Sequence, residues 1–214
     1  MLSDEQVKSF KKDGHLILRG FIDDEIISAW QSQFWDHLGC RINEPEKWPD
    51  KVEGFQPSPL FGSMPELTSI AEQFGGGNFN GGGCGVLTRW PDTDQSWAMP
   101  DTGHLDGYPG EGCQAVLMMG ATTYLHDVES KGGAYIYWPG SHNIAHRYFR
   151  KYPDRIEGTF RETPEWEKRG WGIFSDDNDE PPKEFLAKAG DIILWHGWLC
   201  HSGSTNANSS PRVG

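Results

Sequence analysis

Apolar residues recur with a helical period only near the start of the chain, and with strand-like alternation after about residue 84. Val7 and Phe10 set an apolar stripe behind Ser3-x-x-Gln6. That spacing is a capping box, in which a hydroxyl and an amide satisfy two free backbone N–H groups, and it predicts a helix of about ten residues. Gly14 ends it, and His15 to Leu18 form a short strand. Asp23 caps a second helix with Ile22 and Ile27 at staple positions. Ile26, Trp30, Phe34 and Leu38 share one face of it. Residues 41 to 62 carry proline, charge and turn residues and read as irregular. Ser63-x-x-Glu66, with Pro65 in the first turn, starts a third helix that runs to about Phe74. The glycine-rich run from Gly75 to Gly83 lacks G-x-x-x-x-G-K-[ST] and opens no helix, so it is a loop feeding a strand rather than a phosphate cradle.

From Cys84 on, short runs at 84–90, 104–107, 113–125, 133–138, 191–196 and 198–202 are apolar or alternating, and are bounded by Gly, Pro, Asp or Ser. Many short strands with turn punctuation predict a mainly β architecture of sandwich or jelly-roll type. A connection from about 143 to 187 holds Tyr148, Phe149, Tyr152, Trp166, Trp171 and Phe174, and an acidic stretch at Asp176, Asp177, Asp179 and Glu180. A segment of that length is a lid or binding insertion, or has helices of its own. The expected organisation is one domain over 1–214, with helical support over about 1–75 and a β core over about 84–214.

Composition narrows the partners. The 214 residues carry a formal net charge of −12, which repels phosphate backbones and anionic membranes. His146, Arg147, Arg150, Lys151 and Arg155 form a local exception, a solvated helix face or a clamp for an anion. The ten tryptophans fill the flanks of a barrel or line a pocket. Cys40, Cys84, Cys113 and Cys200 form no C-x-x-C pair, which removes zinc-ribbon and thioredoxin readings. No apolar signal region opens the chain and no apolar run is long enough to span a bilayer, so a cytoplasmic protein with free thiols is expected.

The chemistry lies in three places. In His104-Leu105-Asp106 the outer residues are i and i+2, so on a strand both point to one face. His201 follows far downstream, and Arg212 lies beyond it. Two imidazoles and a carboxylate make a face that holds a divalent metal and leaves other coordination positions open, the arrangement of non-heme Fe(II) oxygenases. An arginine just past the third ligand is placed to grip a carboxylate through paired charge-assisted hydrogen bonds. A lone H-x-D recurs by chance, and the surrounding pattern gives it weight. His196 is the only rival as third ligand. His126 is expected in a surface turn, His142 in loop hydrogen bonding and His146 in the basic patch, whereas His15 and His37 lie in flanking elements.

That pattern continues through Gly132-Gly133-Ala134-Tyr135-Ile136-Tyr137-Trp138-Pro139-Gly140-Ser141-His142, then Gly190-Asp191 with a hydrophobic strand, then His201, Asn206 and Arg212. The order resembles the phytanoyl-CoA dioxygenase-like family of Fe(II)/2-oxoglutarate oxygenases, over roughly residues 2 to 38 and 84 to 213. The resemblance implies a double-stranded β-helix (jelly roll, cupin-like) with flanking N-terminal helices. It implies Fe(II), 2-oxoglutarate and O2 as cofactor and cosubstrates. His104, Asp106 and His201 then hold the metal, and Arg212 takes the distal carboxylate of 2-oxoglutarate. Thr88 and Ser204 are secondary candidates for that cosubstrate, and Tyr108 for the border of the substrate site. Asp106 points to hydroxylation, because halogenating relatives carry a small residue there. Position 203 is Gly where such proteins commonly carry Ser, with Ser202 and Ser204 beside it. Position 214 falls short of the family's last strand, which leaves the anchoring of Arg212 open. The expected function is hydroxylation of a small molecule. The alternatives are a non-catalytic jelly-roll binding module, and a cupin-type isomerase or hydrolase that ignores 2-oxoglutarate.

Overall fold

The computed structural model describes residues 1–75, 84–106 and 118–214. The expected loop after Gly75, Tyr108, Cys113 and the first part of the 113–125 run lie outside the described residues.

Helix α1 (Asp4–Asp13) opens on the capping box: Gln6 N–H donates to Ser3 Oγ at 3.2 Å, and Ser3 N–H donates to Gln6 Oε1 at 2.9 Å. Gly14 closes it at φ 74°, a left-handed position that glycine adopts without a Cβ clash. Strand β1 (His15–Leu18) follows, then α2 (Asp24–Leu38). Asp23 stands at the N-cap of α2, but its side chain makes no capping bond, contrary to expectation. Here packing holds the helix. Ile27, Trp30, Phe34 and Trp35 are buried, and each such side chain contributes roughly 2–3 kcal/mol by leaving water. Helix α3 (Pro65–Gly75) begins at Pro65, one residue too late for Ser63 to be its cap. Proline suits that first position because its missing N–H would have no helical partner there.

The strands are β2 (Thr88–Arg89), β3 (Met119–Thr123), β4 (Tyr135–Tyr137), β5 (Lys183–Glu184), β6 (Ile192–His196), β7 (His201–Gly203) and β8 (Arg212–Val213). They form three antiparallel sheets, ordered β1-β6-β3, β5-β4-β7 and β2-β8. Strand β6 is covered on both faces, which accounts for its unbroken apolar run. Ile192 and Leu194 join the core of the N-terminal helices, while Ile193 packs with Tyr124, Tyr137, Phe185 and Leu199. The turn before β6 is held by Asp191. Burial opposes ionisation there, yet Arg19 Nη1 at 2.7 Å and the N–H groups of Gly20 and Lys188 hold the carboxyl below its ordinary value.

Sheets are present as expected, but among the described residues 37% are helical against 16% in strands, more helix than a mainly β chain was expected to carry. The strands are shorter than the apolar runs that foretold them. The 143–187 connection, moreover, carries α4 (Ser141–Lys151), which begins just before it, α5 (Pro164–Arg169) and several 3-10 turns. Phe149, Phe160, Ile173 and Phe174 from this region form a second core with Leu105. No helix among the described residues is long and apolar enough to cross a membrane.

Candidate metal and cosubstrate site

Leu105 explains why its neighbours face together. It is 1% exposed in the second core, so strand alternation turns His104 and Asp106 to the opposite side. The segment is held against β7 by His104 N–H to the His201 carbonyl at 2.8 Å, and by the reciprocal bond at 3.0 Å. Gly103 lets the backbones approach, because a Cβ there would overlap the His201 carbonyl. His201 is buried, and its Nδ1 donates to the Leu199 carbonyl at 2.9 Å. With a metal bound, that bond would leave the Nε2 lone pair to face the ion. His104 Nε2 lies 3.3 Å from one Asp106 carboxylate oxygen, and His201 Nε2 lies 3.3 Å from the other. The three ligand atoms all lie within 4.8 Å of one another. Hydrogen bonding to His104, then to His201, holds the Asp106 carboxyl well below the usual carboxylate range. The donor set therefore fits a divalent metal: two imidazoles and an ionised carboxylate converge from one side.

Arg212 lines the same cavity, of about 280 Å³, together with the triad, Arg89, Tyr135 and Trp195. It is 5% exposed, and burial pulls its guanidinium down to about 10. Its Nε donates to the Gly133 carbonyl and its Nη1 to the Leu87 carbonyl, each at 2.8 Å. The ladder of β2 and β8 continues through Leu87 and Gly214, which bond in both directions at 2.7 and 3.0 Å. The guanidinium is thus held on an ordered strand.

Two secondary candidates are not on this cavity. Thr88 pairs with Val213 on the face of the ladder away from Arg212 and does not line it. Ser204 is buried with its hydroxyl donating to the Ala134 carbonyl at 3.2 Å. Ser202 and Gly203 do line the cavity. Tyr108 lies outside the described residues. His196 is removed as a rival ligand: its Nδ1 accepts from Trp198 N–H at 3.0 Å, in a different cavity beside His142 and His146. His142 does hold a loop, with Nε2 donating to the Lys11 carbonyl at 3.1 Å. His126 is half-buried rather than in an exposed turn, and accepts from Trp35 Nε1 at 3.2 Å. In the basic patch, Arg155 lies 3.8 Å over the Tyr152 ring and bonds Tyr148 Oη at 2.9 Å, while His146, Arg147, Arg150 and Lys151 are exposed.

Sequence reasoning missed Arg89 and Tyr135 as site residues. Tyr135 stacks on His201 at 5.2 Å between centroids. Its hydroxyl is buried and has no hydrogen-bond partner among the described residues, and burial, then the Asp106 charge, pushes its ionisation well above the usual value.

The sequence model of the family described as Phytanoyl-CoA dioxygenase (PhyH) matches residues 101–214. Peroxisomal phytanoyl-CoA dioxygenase of Rattus norvegicus is 21% identical over 238 residues, covering 99% of this chain and 66% of that protein, so the chain spans just under two thirds of that relative. Among solved structures, the non-heme alpha ketoglutarate dependent carbocyclase SnoK from nogalamycin biosynthesis matches with a TM-score of 0.59 at 18% identity, over 99% of this chain and 81% of that one. HygX from Streptomyces hygroscopicus, with nickel, 2-oxoglutarate and hygromycin B bound, matches with a TM-score of 0.55 at 16% identity, over 99% of this chain and 84% of that one. At such identities the structural matches speak for the fold.

Proposed function

The chain belongs to the phytanoyl-CoA dioxygenase family, and from that premise we propose that it is an Fe(II)- and 2-oxoglutarate-dependent dioxygenase that hydroxylates a small molecule. The carrying observation is the convergence of His104, Asp106 and His201 within 4.8 Å, with Arg212 in the same cavity. Likeness to a fold that holds nickel and 2-oxoglutarate in HygX supports the reading. We read the whole chain as one oxygenase domain on a double-stranded β-helix, and the free thiols Cys40, Cys84 and Cys200 favour a cytoplasmic setting.

In this reading, iron bound with 2-oxoglutarate and dioxygen supplies the oxidation of a substrate C–H bond. The residues do the rest. His104 and His201 offer neutral nitrogens, and Asp106 offers the single negative charge that leaves the site net positive for a diacid. The Leu199 carbonyl fixes the His201 tautomer. Arg212 fixes the far end of 2-oxoglutarate from a buried position, where a guanidinium–carboxylate pair is strong. The 143–187 segment covers the substrate side, with Trp171 edge-on to His104 at 6.2 Å.

The test is spectroscopic first. Anaerobic Fe(II) and 2-oxoglutarate are expected to give a weak visible charge-transfer band. His104→Ala should lose iron and band together, and Arg212→Ala should keep iron but need more 2-oxoglutarate. Intact iron binding with no band would overturn the proposal. A candidate-substrate screen, reading succinate release and product gain of one oxygen atom, then separates an enzyme from a binding module.

A further inference from the structure

Arg89 stands directly across the β2–β8 ladder from Arg212. Like charges at facing positions of an antiparallel pair repel each other. Arg212 is also buried, where a cation without a counter-charge is unfavourable. The ion pairs among the described residues leave both guanidinium groups out. Arg212 bonds only carbonyl oxygens there. Two adjacent cations without a carboxylate, both on the wall of one cavity, make a site for an anion.

Two glycines shape the path that Arg89 takes. A Cβ on Gly133 would stand 2.8 Å from Arg89 Cβ and 3.3 Å from its Cγ. A Cβ on Gly203 would stand 3.1 Å from Arg89 Nη2, 3.6 Å from its Nε and 3.7 Å from Arg212 Nη2. The stem of Arg89 therefore lies over Gly133, and both guanidinium groups end above Gly203. That glycine is two residues from His201 on β7, so the pair of cations sits one side-chain position along the strand face from the metal triad.

We propose that Arg89 is a second anchor for the remote carboxylate of 2-oxoglutarate, closing on it with Arg212 in the space that Gly203 leaves open. This inference rests on the metal and cosubstrate reading above. It assigns the two cations different settings: Arg212 is the buried floor, and Arg89 is the exposed side of the grip. The consequence is a strong preference for 2-oxo diacids over 2-oxo monoacids of equal length.

The experiment titrates the anaerobic Fe(II) protein with 2-oxoglutarate, and in parallel with 2-oxopentanoate, in which a methyl replaces the remote carboxylate. The charge-transfer band reads binding without turnover. Arg89→Gln keeps the stem over Gly133 and removes the charge, and retained iron binding shows that it is folded. Its affinity for 2-oxoglutarate is expected to fall about tenfold or more, the size of one charge-assisted contact. Its affinity for 2-oxopentanoate is expected to stay put, and Arg89→Lys should recover part of the diacid affinity. Equal affinity of Arg89→Gln and the unsubstituted protein for 2-oxoglutarate overturns the inference, as does an equal loss for both acids. A missing band in the unsubstituted protein would instead overturn the underlying reading, and this inference with it.

Discussion

Tyr135 carries a contradiction at the scale of one residue. Its ring lies flat on His201 and near Trp195, with centroids 5.2 and 6.1 Å away, yet its hydroxyl is buried without a partner among the described residues. Such a group gives up its bonds to water for nothing in return. Tyr135→Phe should therefore stabilise the metal-free protein by about 1 kcal/mol, read as a higher urea midpoint at unchanged slope. A lower midpoint would mean that the hydroxyl is already satisfied. Retaining an unsatisfied hydroxyl beside a reactive centre is the kind of conflict that functional sites keep. His104 and Asp106 were legible because their logic is local, i and i+2 on a strand with a leucine between to be buried, whereas His201 joins them through a distant bridge and was legible only from the order of motifs. Arg89 and Tyr135 were not. Each enters the site only through pairing with a distant strand, 89 with 212 and 135 with 203. Neighbouring strand positions point to opposite faces, so Thr88 and Arg89 fall on different sides of the β2–β8 ladder.

Elements show the same division. Helix α1, strand β1 and the span of α2 follow from caps and periodicity within a few residues of themselves, and they match the sequence reading. In the 143–187 segment only α4 carries a stripe of that kind, with Ser141, Ala145 and Phe149 buried four residues apart. Beyond it, short turns place aromatic rings against one another without a helical repeat. The junction of α1 and α4 shows how a turn motif works across elements. The last carbonyls of α1 need partners. The Gly140 N–H donates to the Asp13 carbonyl at 2.8 Å, His142 Nε2 to that of Lys11 and Asn143 Nδ2 to that of Lys12, each of the latter at 3.1 Å. Gly14 closes this junction, and a Cβ on it would overlap the His142 ring besides straining its positive φ. Gly14→Ala should cost about 2–4 kcal/mol of folding stability, from backbone strain plus overpacking. Iron affinity should stay unchanged, because the junction does not touch the triad. Thermal unfolding and a chelator competition check the two halves separately.

At the scale of the molecule, two effects compete as pH falls. The net charge of −12 and a pI near 5.0 mean that acid relieves self-repulsion and so favours the folded chain. Four buried or half-buried histidines oppose it. Burial lowers the folded-state pKa of His15, His126, His142 and His196, the last down to about 4, where His142 and His146 add like charge. Between a lowered folded value and about 6.5 the unfolded chain binds more protons, so stability rises with pH through that window and is lost as pH falls through it. For His196 the full shift corresponds to roughly 3 kcal/mol, and about 1–2 kcal/mol after allowance for its partly exposed ring. Diffuse surface repulsion is screened at ordinary salt, whereas these local desolvation effects are not. The histidines should therefore win. The metal-free protein is expected to lose thermal stability steadily from pH 7 to pH 4.5, and His196→Gln is expected to flatten the upper part of that slope. A stability maximum at the pI, unmoved by that substitution, would show that repulsion governs instead.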